Sequence, residues 1–393
     1  MWWLFLGCFL QLSLAGTPET PLKPVPQESL EDNESLKWSG VVIGYPSGSS
    51  VDGLGLGVGG QVYARPPSQS QGFKYSMILS LYANLRFDYT HNFLRFQSTG
   101  RTSWLGQVGY SGWKNLVYTG NGGLGALLHR PDREAGNTVV TPFVSVAANR
   151  KIGTQGWALI GQHSMRYVYA SAAEGSLLAE DSPLGLGKST YADFSIGALF
   201  DNTDQWPLPH EGWSAEGSIR GGFTVSQGTI HPMGSIQFQG VRWQRLGTPR
   251  LILGLRLYGE RAFGQRPFYE KDRAGLSWRD VYGEEQILLG YGKNRPRGDG
   301  TVAAALELRM EFAHHHGKFW DIQAYASIFA EEAWLWDKNT PGPHLPTIGV
   351  APAILFQHAI ILRPYIAWGW RADTIGDART PRPQFGLCLT DSL

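Results

Sequence analysis

The chain has 393 residues, with 50 Gly, 15 Trp, 16 Tyr, 18 Phe, 17% charged residues and a formal net charge of +1. Low charge with abundant Gly and aromatics argues against a soluble enzyme and for a β-rich protein, and a mean hydropathy of -0.21 excludes several oily helical spans. The balance of 34 basic and 33 acidic residues gives no electrostatic footprint for nucleic acid, so that class of partner is excluded.

Residues 1–15, MWWLFLGCFLQLSLA, are apolar apart from Gln11 and Ser13, too short for an ordinary bilayer-spanning helix, and end in Ser13-Leu14-Ala15. They predict a secretory signal peptide, although no Lys or Arg precedes the apolar run. Residues 16–37, rich in Pro, Glu and Ser with no apolar period, predict a disordered periplasmic leader. The two cysteines are Cys8 and Cys388, so removal of the signal leaves one and excludes an internal disulfide or a cysteine-based metal cluster.

From Trp38 to residue 393, alternating segments of strand length are separated by Gly, Asn, Asp and Pro clusters. Gly55-Leu56-Gly57-Val58-Gly59-Gly60 fits the spacing G-x-G-x-x-G, but strand pattern rather than a helix follows it, which argues against nucleotide binding. For a barrel, Gly55, Gly57, Gly59 and Gly60 predict one side of a loosely zipped seam, pairing briefly with a last strand near 384–390, because glycine adds no cross-strand side-chain contact.

In 191–200 the even positions Ala192, Phe194, Ile196, Ala198 and Phe200 are apolar, opposite Tyr191, Asp193, Ser195 and Gly197. In 250–257 Leu251, Leu253, Leu255 and Leu257 alternate with Arg250, Gly254 and Arg256. From Val302 the apolar set is Val302, Ala304, Leu306, Leu308, Met310 and Phe312, with Glu307, Arg309 and Glu311 opposite. In 360–371 Ile360, Leu362, Ile366, Trp368 and Trp370 alternate with Arg363, Tyr365 and Arg371. Successive strand side chains face opposite sides, so each segment has one oily and one polar face, and the arginines need a wet or ion-paired interior. The oily face is expected to meet lipid; Trp104, Trp113, Tyr118, Trp334, Trp336, Trp368 and Trp370 are expected in its interfacial girdles. Allowing about 22 residues per strand and connection, the segment predicts an all-β fold, a transmembrane antiparallel β-barrel of about sixteen strands.

The stretches Asp201–Gly212, Leu289–Arg309 and Ile328–Glu331 resemble motifs of the bacterial surface antigen family, the outer-membrane barrels of the BamA and TamA type. Asp201-Asn202-Thr203-Asp204-Gln205-Trp206-Pro207-Leu208-Pro209-His210-Glu211-Gly212 resembles that family's D-x-R-D-x-x-x-x-P-x-x-G turn, with Thr203 in the arginine's place. Leu289-Gly290-Tyr291, Arg295, Arg297-Gly298 and Leu306-Glu307-Leu308-Arg309 resemble its R-G-Y, R-x-R-G and E-L-R run, with Leu289 replacing an arginine. Ile328-Phe329-Ala330-Glu331 resembles the strand whose acid receives that arginine, Glu331 holding the acidic place. The resemblance implies a long loop folded into the lumen, with Arg295 and Arg297 reaching Glu331 and Glu307 on the wall. It also implies a bacterial outer-membrane location and a role in inserting or translocating unfolded outer-membrane polypeptide or lipid, without the POTRA domains that usually accompany it. A passive diffusion pore or structural outer-membrane protein is the alternative.

No catalytic pattern stands beside this. A G-x-S-x-G elbow is absent, and Ser, His and Asp form no ordered triad, so the expectation is a non-enzyme without cofactor, its constant partner being outer-membrane lipid. His314-His315-His316 are adjacent on a strand end and cannot all face one ion, so no metal site is expected.

Overall fold

A computed structural model describes residues 36–49, 53–65, 74–85, 89–116, 137–153, 156–204, 208–271, 298–316, 321–337, 340–356, 360–371 and 380–391. Residues 1–35, assigned by sequence to signal and leader, lie outside them. The strands are β1 (Lys37–Ser49), β2 (Gly53–Arg65), β3 (Tyr75–Asn84), β4 (Tyr89–Ser98), β5 (Thr102–Leu116), β6 (Asn137–Ile152), β7 (Trp157–Ser171) and β8 (Gly187–Asp201). They continue as β9 (Gly212–Ser226), β10 (Thr229–Leu246), β11 (Thr248–Gly264), β12 (Gly300–His316), β13 (Asp321–Asp337), β14 (Thr340–Phe356), β15 (Ile360–Arg371) and β16 (Thr380–Asp391). Each pairs antiparallel with its sequence neighbours, and β1 meets β16, which closes a sixteen-stranded barrel.

The alternation read from sequence is what builds the wall. Phe194 and Ile196 are 55% and 56% exposed on the outside of β8, whereas Tyr191 and Asp193 are buried inside it. Leu255, Leu306, Met310 and Ile366 likewise lie outward, and Arg309 is buried within. An apolar outer face and a polar inner one are what a barrel in lipid requires. Trp104 and Trp334 point outward as expected for girdles, but Trp113 turns inward and stacks on Tyr89 with ring centroids 4.9 Å apart. Its place on the inner parity of β5, with Leu105 and Ser111, overrides its girdle-like composition.

Turn chemistry sets the two ends. Gln227 and Gly228, with φ of 52° and 76°, make the tight β9–β10 hairpin, and Gly247 with φ of 64° turns β10 into β11. At the turn end, where β1 starts and β16 finishes, β8 joins β9 through residues 202–211. At the opposite, loop end stand two short helices: α1 (Leu177–Asp181), capped by the Ser176 hydroxyl accepting from the Ala179 N–H, and α2 (Phe268–Lys271), which follows β11.

Candidate functional site

The ladder is long everywhere but at one place. β1 pairs with β2 over its whole length, from Lys37↔Arg65 to Ser49↔Gly53, and β15 pairs with β16 from Ile360↔Asp391 to Arg371↔Thr380. Between β1 and β16 the register, among the described residues, holds Gly48↔Leu387 and Ser49↔Gly386 alone. Continuing that register would bring Ser47 opposite Cys388 and Gly44 opposite Asp391, so Lys37–Ile43 extend past the end of β16. The seam therefore leaves one edge of β1 with unpaired backbone N–H and C=O groups, which cost several kcal/mol each in hydrocarbon unless water or another strand meets them.

This places the seam one strand earlier than the glycine run suggested. Gly55, Gly57, Gly59 and Gly60 belong to β2, paired to β1 on one side and, from Gly55↔Asn84 onward, to β3 on the other. The role of Gly55 is close approach, since a Cβ there would strike the Tyr82 hydroxyl and, at 2.7 Å, the Ala83 carbonyl. The true edge strand, KWSGVVIGYPSGS, was inconspicuous because Gly40, Gly44 and Pro46 occupy alternate positions where an oily face would stand.

At the loop end, the segment after β11 docks inside the barrel against β6 and β7, four to five strands away along the wall. Phe268 of α2 is buried among Val139, Val168, Ala170 and Leu178, and its N–H donates to the Leu184 carbonyl at 3.0 Å. Beside it Glu270 accepts from Arg166 Nη1 at 2.6 Å and from Arg220 Nη2 at 3.3 Å. Arg220 also pairs with Asp193, which accepts from the Ser164 hydroxyl and from the Tyr191 hydroxyl, both at 2.6 Å. Tyr269 reaches Ser189 at 2.9 Å, and Arg266 pairs with Glu260, itself bonded by the Tyr258 hydroxyl at 2.9 Å. Arg166, Arg220 and Arg266 here face Glu270, Asp193 and Glu260, so the buried charges balance.

At the turn end the 202–211 turn docks in the other direction. Asp204 Oδ1 accepts from the His210 and Glu211 N–H groups at 2.8 and 3.1 Å, Asn202 Oδ1 accepts from the Trp213 N–H at 2.7 Å, and Gly212 takes a φ of 111°. Thr203, in the family's arginine position, donates its hydroxyl to Asp201 at 2.7 Å. So shaped, the turn buries Leu208 against Tyr325, Ala353 and Leu355 of β13 and β14. The Pro209 carbonyl accepts from Arg309 Nη2 at 2.6 Å, and that guanidinium lies 4.3 Å over the Trp243 ring. His210 sits 3.4 Å from Asp204 and 3.9 Å from Glu311, and Arg245 reaches Asp204 at 3.1 Å. Burial pulls the His210 imidazole below its ordinary range, reinforced by Arg309 and Arg245 against the pull of Asp204 and Glu311. Burial acts to raise the Asp204 carboxyl, but its two N–H donors, His210 and Arg245 hold it lower than usual.

Of the residues expected in a lumen loop, Gly290, Tyr291, Arg295 and Arg297 lie outside the described residues. Gly298 is buried, packed so that a Cβ would come 2.8 Å from the Trp336 carbonyl. Glu331 is half-buried on the inner parity of β13. Glu307 pairs with the wall residue Arg363 at 3.3 Å, so among the described residues its partner comes from β15 rather than from a loop. In the described part of the segment after β11, Glu270 meets Arg166 and Arg220 of the wall, and Arg266 meets Glu260. Inward parity of Arg166 and Arg220 was a visible signal, whereas nothing in the local sequence marked Glu270.

No family model matches the sequence, and no curated protein matches it. Solved structures do. BamA from Haemophilus ducreyi lacking POTRA domains 1-3 superimposes with a TM-score of 0.55 at 15% identity, over 91% of this chain and 70% of that one. CdiB from Escherichia coli gives 0.56 at 11% identity, over 98% of this chain and 67% of that one. These likenesses show the fold that the sequence pattern implied, a β-barrel like those of these outer-membrane proteins, with its apolar face turned outward.

Proposed function

We propose that this barrel assists the insertion of unfolded polypeptide into the bacterial outer membrane by offering the edge of β1 as a template for an incoming strand. The observation that carries this reading is the seam, where β1 is fully paired to β2 yet meets β16 at two residue pairs. An extended segment added to that edge satisfies its backbone groups, so pairing is favoured most strongly where water is scarce. The segments docked inside the two ends of the barrel, which narrow its lumen, support a lateral route over an axial one. The resemblance to BamA and TamA barrels points the same way, and no chemical step is needed, so the protein acts without catalytic residues or cofactor. A lipid client is the second possibility for the same opening.

The native Cys388 makes a direct test available. A Ser47→Cys variant places a thiol opposite it in the continued register, so oxidation zips the seam and reduction releases it. Vesicles holding the variant are given an unfolded outer-membrane barrel, and its folding is followed by the gel shift between heated and unheated samples. The expected result is acceleration when reduced and none when oxidised. Equal acceleration in both states would contradict a seam mechanism, and free solute flux in both states would support a pore.

A further inference from the structure

Strands β5 to β11 carry no carboxylate on their outer face. Their acids are Asp193, Asp201, Glu216 and Glu260, all on the inner parity, with Asp193 and Glu260 buried. Outward-facing cations are present at the turn end of the same arc. Arg150 of β6 is exposed beside Thr102 and Leu159, and Arg242 of β10 lies with its guanidinium 4.4 Å over Trp213. Arg101, exposed in the β4–β5 turn, accepts at its carbonyl from the Lys151 N–H at 2.9 Å, which holds that turn against the end of β6. The Arg101 and Arg150 side chains form no ion pair among the described residues.

Around these cations stand outward tryptophans: Trp104, Trp157, which packs 5.1 Å from Phe200, and Trp213. Towards the barrel's middle the outer face becomes aliphatic, with Leu159, Val146, Ile196 and Ile219 exposed. Guanidinium and indole groups thus share the rim of one arc, Trp213 directly opposite Arg242 and Trp157 opposite Ile152, two residues beyond Arg150, with the aliphatic face on the barrel side of both, as acyl chains lie below a glycerophospholipid's phosphate and glycerol region.

We propose that this arc binds anionic glycerophospholipid of the phosphatidylglycerol class in the leaflet at the turn end. The choice within phospholipids comes from charge complementarity. A phosphate finds Arg101, Arg150 and Arg242, but an ethanolamine or choline cation finds no carboxylate on the outer face of these strands; the exposed acids of this rim among the described residues, Asp204 and Glu211, lie in the turn beyond them, Asp204 paired with His210 and Arg245. The site rests on the membrane reading of the outer face and is independent of any activity at the seam.

The test uses the whole protein in phosphatidylcholine vesicles doped with spin-labelled phosphatidylglycerol, phosphatidylethanolamine or phosphatidylcholine, reading the fraction of label immobilised at the barrel surface. Phosphatidylglycerol should be preferred over the other two about fivefold, and about 0.5 M salt should remove most of the preference. The triple variant R101Q/R150Q/R242Q should bring the ratio near unity. An R150K variant should keep it, as should K188Q/R261Q, whose positions are exposed at the loop end. A ratio near unity in the unaltered protein, an unchanged ratio in the triple variant, or loss in the K188Q/R261Q variant would each overturn the proposal. The gel shift of the folded barrel separates a lost site from a lost fold, and R150K reports on the site if the triple variant does not fold.

Discussion

Glu270 of the segment after β11 lies 2.6 Å from Arg166 of β7, a contact spanning 104 residues and reaching four strands along the barrel wall. Both side chains are largely hidden from solvent, so the pair is a clasp rather than a surface contact. Replacing Glu270 by Gln leaves Arg166 without its carboxylate. Breaking a buried pair from one side typically costs about 3–5 kcal/mol, here charged to docking of the segment rather than to the barrel. Protease cleavage between 265 and 271 and single-channel conductance should both rise. Unchanged values of both would show that Phe268 packing alone holds the segment.

The turn end should loosen on acidification. His210 has a lowered pKa when docked, so the undocked turn takes up the proton first. Docking is then fully favoured above the ordinary imidazole value of about 6.5, and weakens as pH falls below it towards the lower docked value. Asp204 is also lowered, so its contribution is present above about 3.9 and is lost as pH falls further. Protection of the Glu211 amide, taken against its unstructured exchange rate at each pH, should fall in the first window, and His210→Gln should flatten that response. An amide whose protection is the same at neutral pH and at mildly acid pH would refute the coupling.

Leu208 supplies the apolar part of the same contact. Truncation to Ala should weaken docking of the turn by about 2–3 kcal/mol, because the pocket made by Tyr325, Ala353 and Leu355 would be left part-empty. Limited proteolysis of the turn, read against the rate for the unaltered chain, reports this. No gain in cleavage would mean that the Arg309–Pro209 bond suffices.

The two faces of β8 should respond differently to charge. Phe194→Arg puts a guanidinium on the lipid side and should cost roughly 2–4 kcal/mol of barrel stability near the bilayer centre, whereas Ser195→Arg enters the polar interior and should cost less. Urea titration of folding into vesicles measures both. Equal losses would remove the assignment of inside and outside.

The strand wall was legible in the sequence because a period of two survives wherever one face meets lipid: Tyr191 with Asp193 inside and Phe194 with Ile196 outside could be told apart by counting. The seam was misplaced because the edge strand carries Gly40, Gly44 and Pro46, which erase its period, while the glycines of β2 drew attention to a fully paired strand. The clasp was out of reach for another reason. Arg166 and Arg220 could be read as inward, but that Glu270 meets them depends on which strands the segment reaches after closure, a relation no local window contains.

The central claim is that an incoming strand adds to the free edge of β1. A photo-crosslinking amino acid at Val41 on that edge, at Gln61 of β2 as a control within the wall, and at Ser327 within the lumen would be irradiated while a purified unfolded outer-membrane barrel is being inserted. The account predicts adducts to the client from position 41, lost once insertion is complete, and none from 61 or 327. Adducts from 327 with none from 41 would contradict it, because the client would then be passing through the lumen.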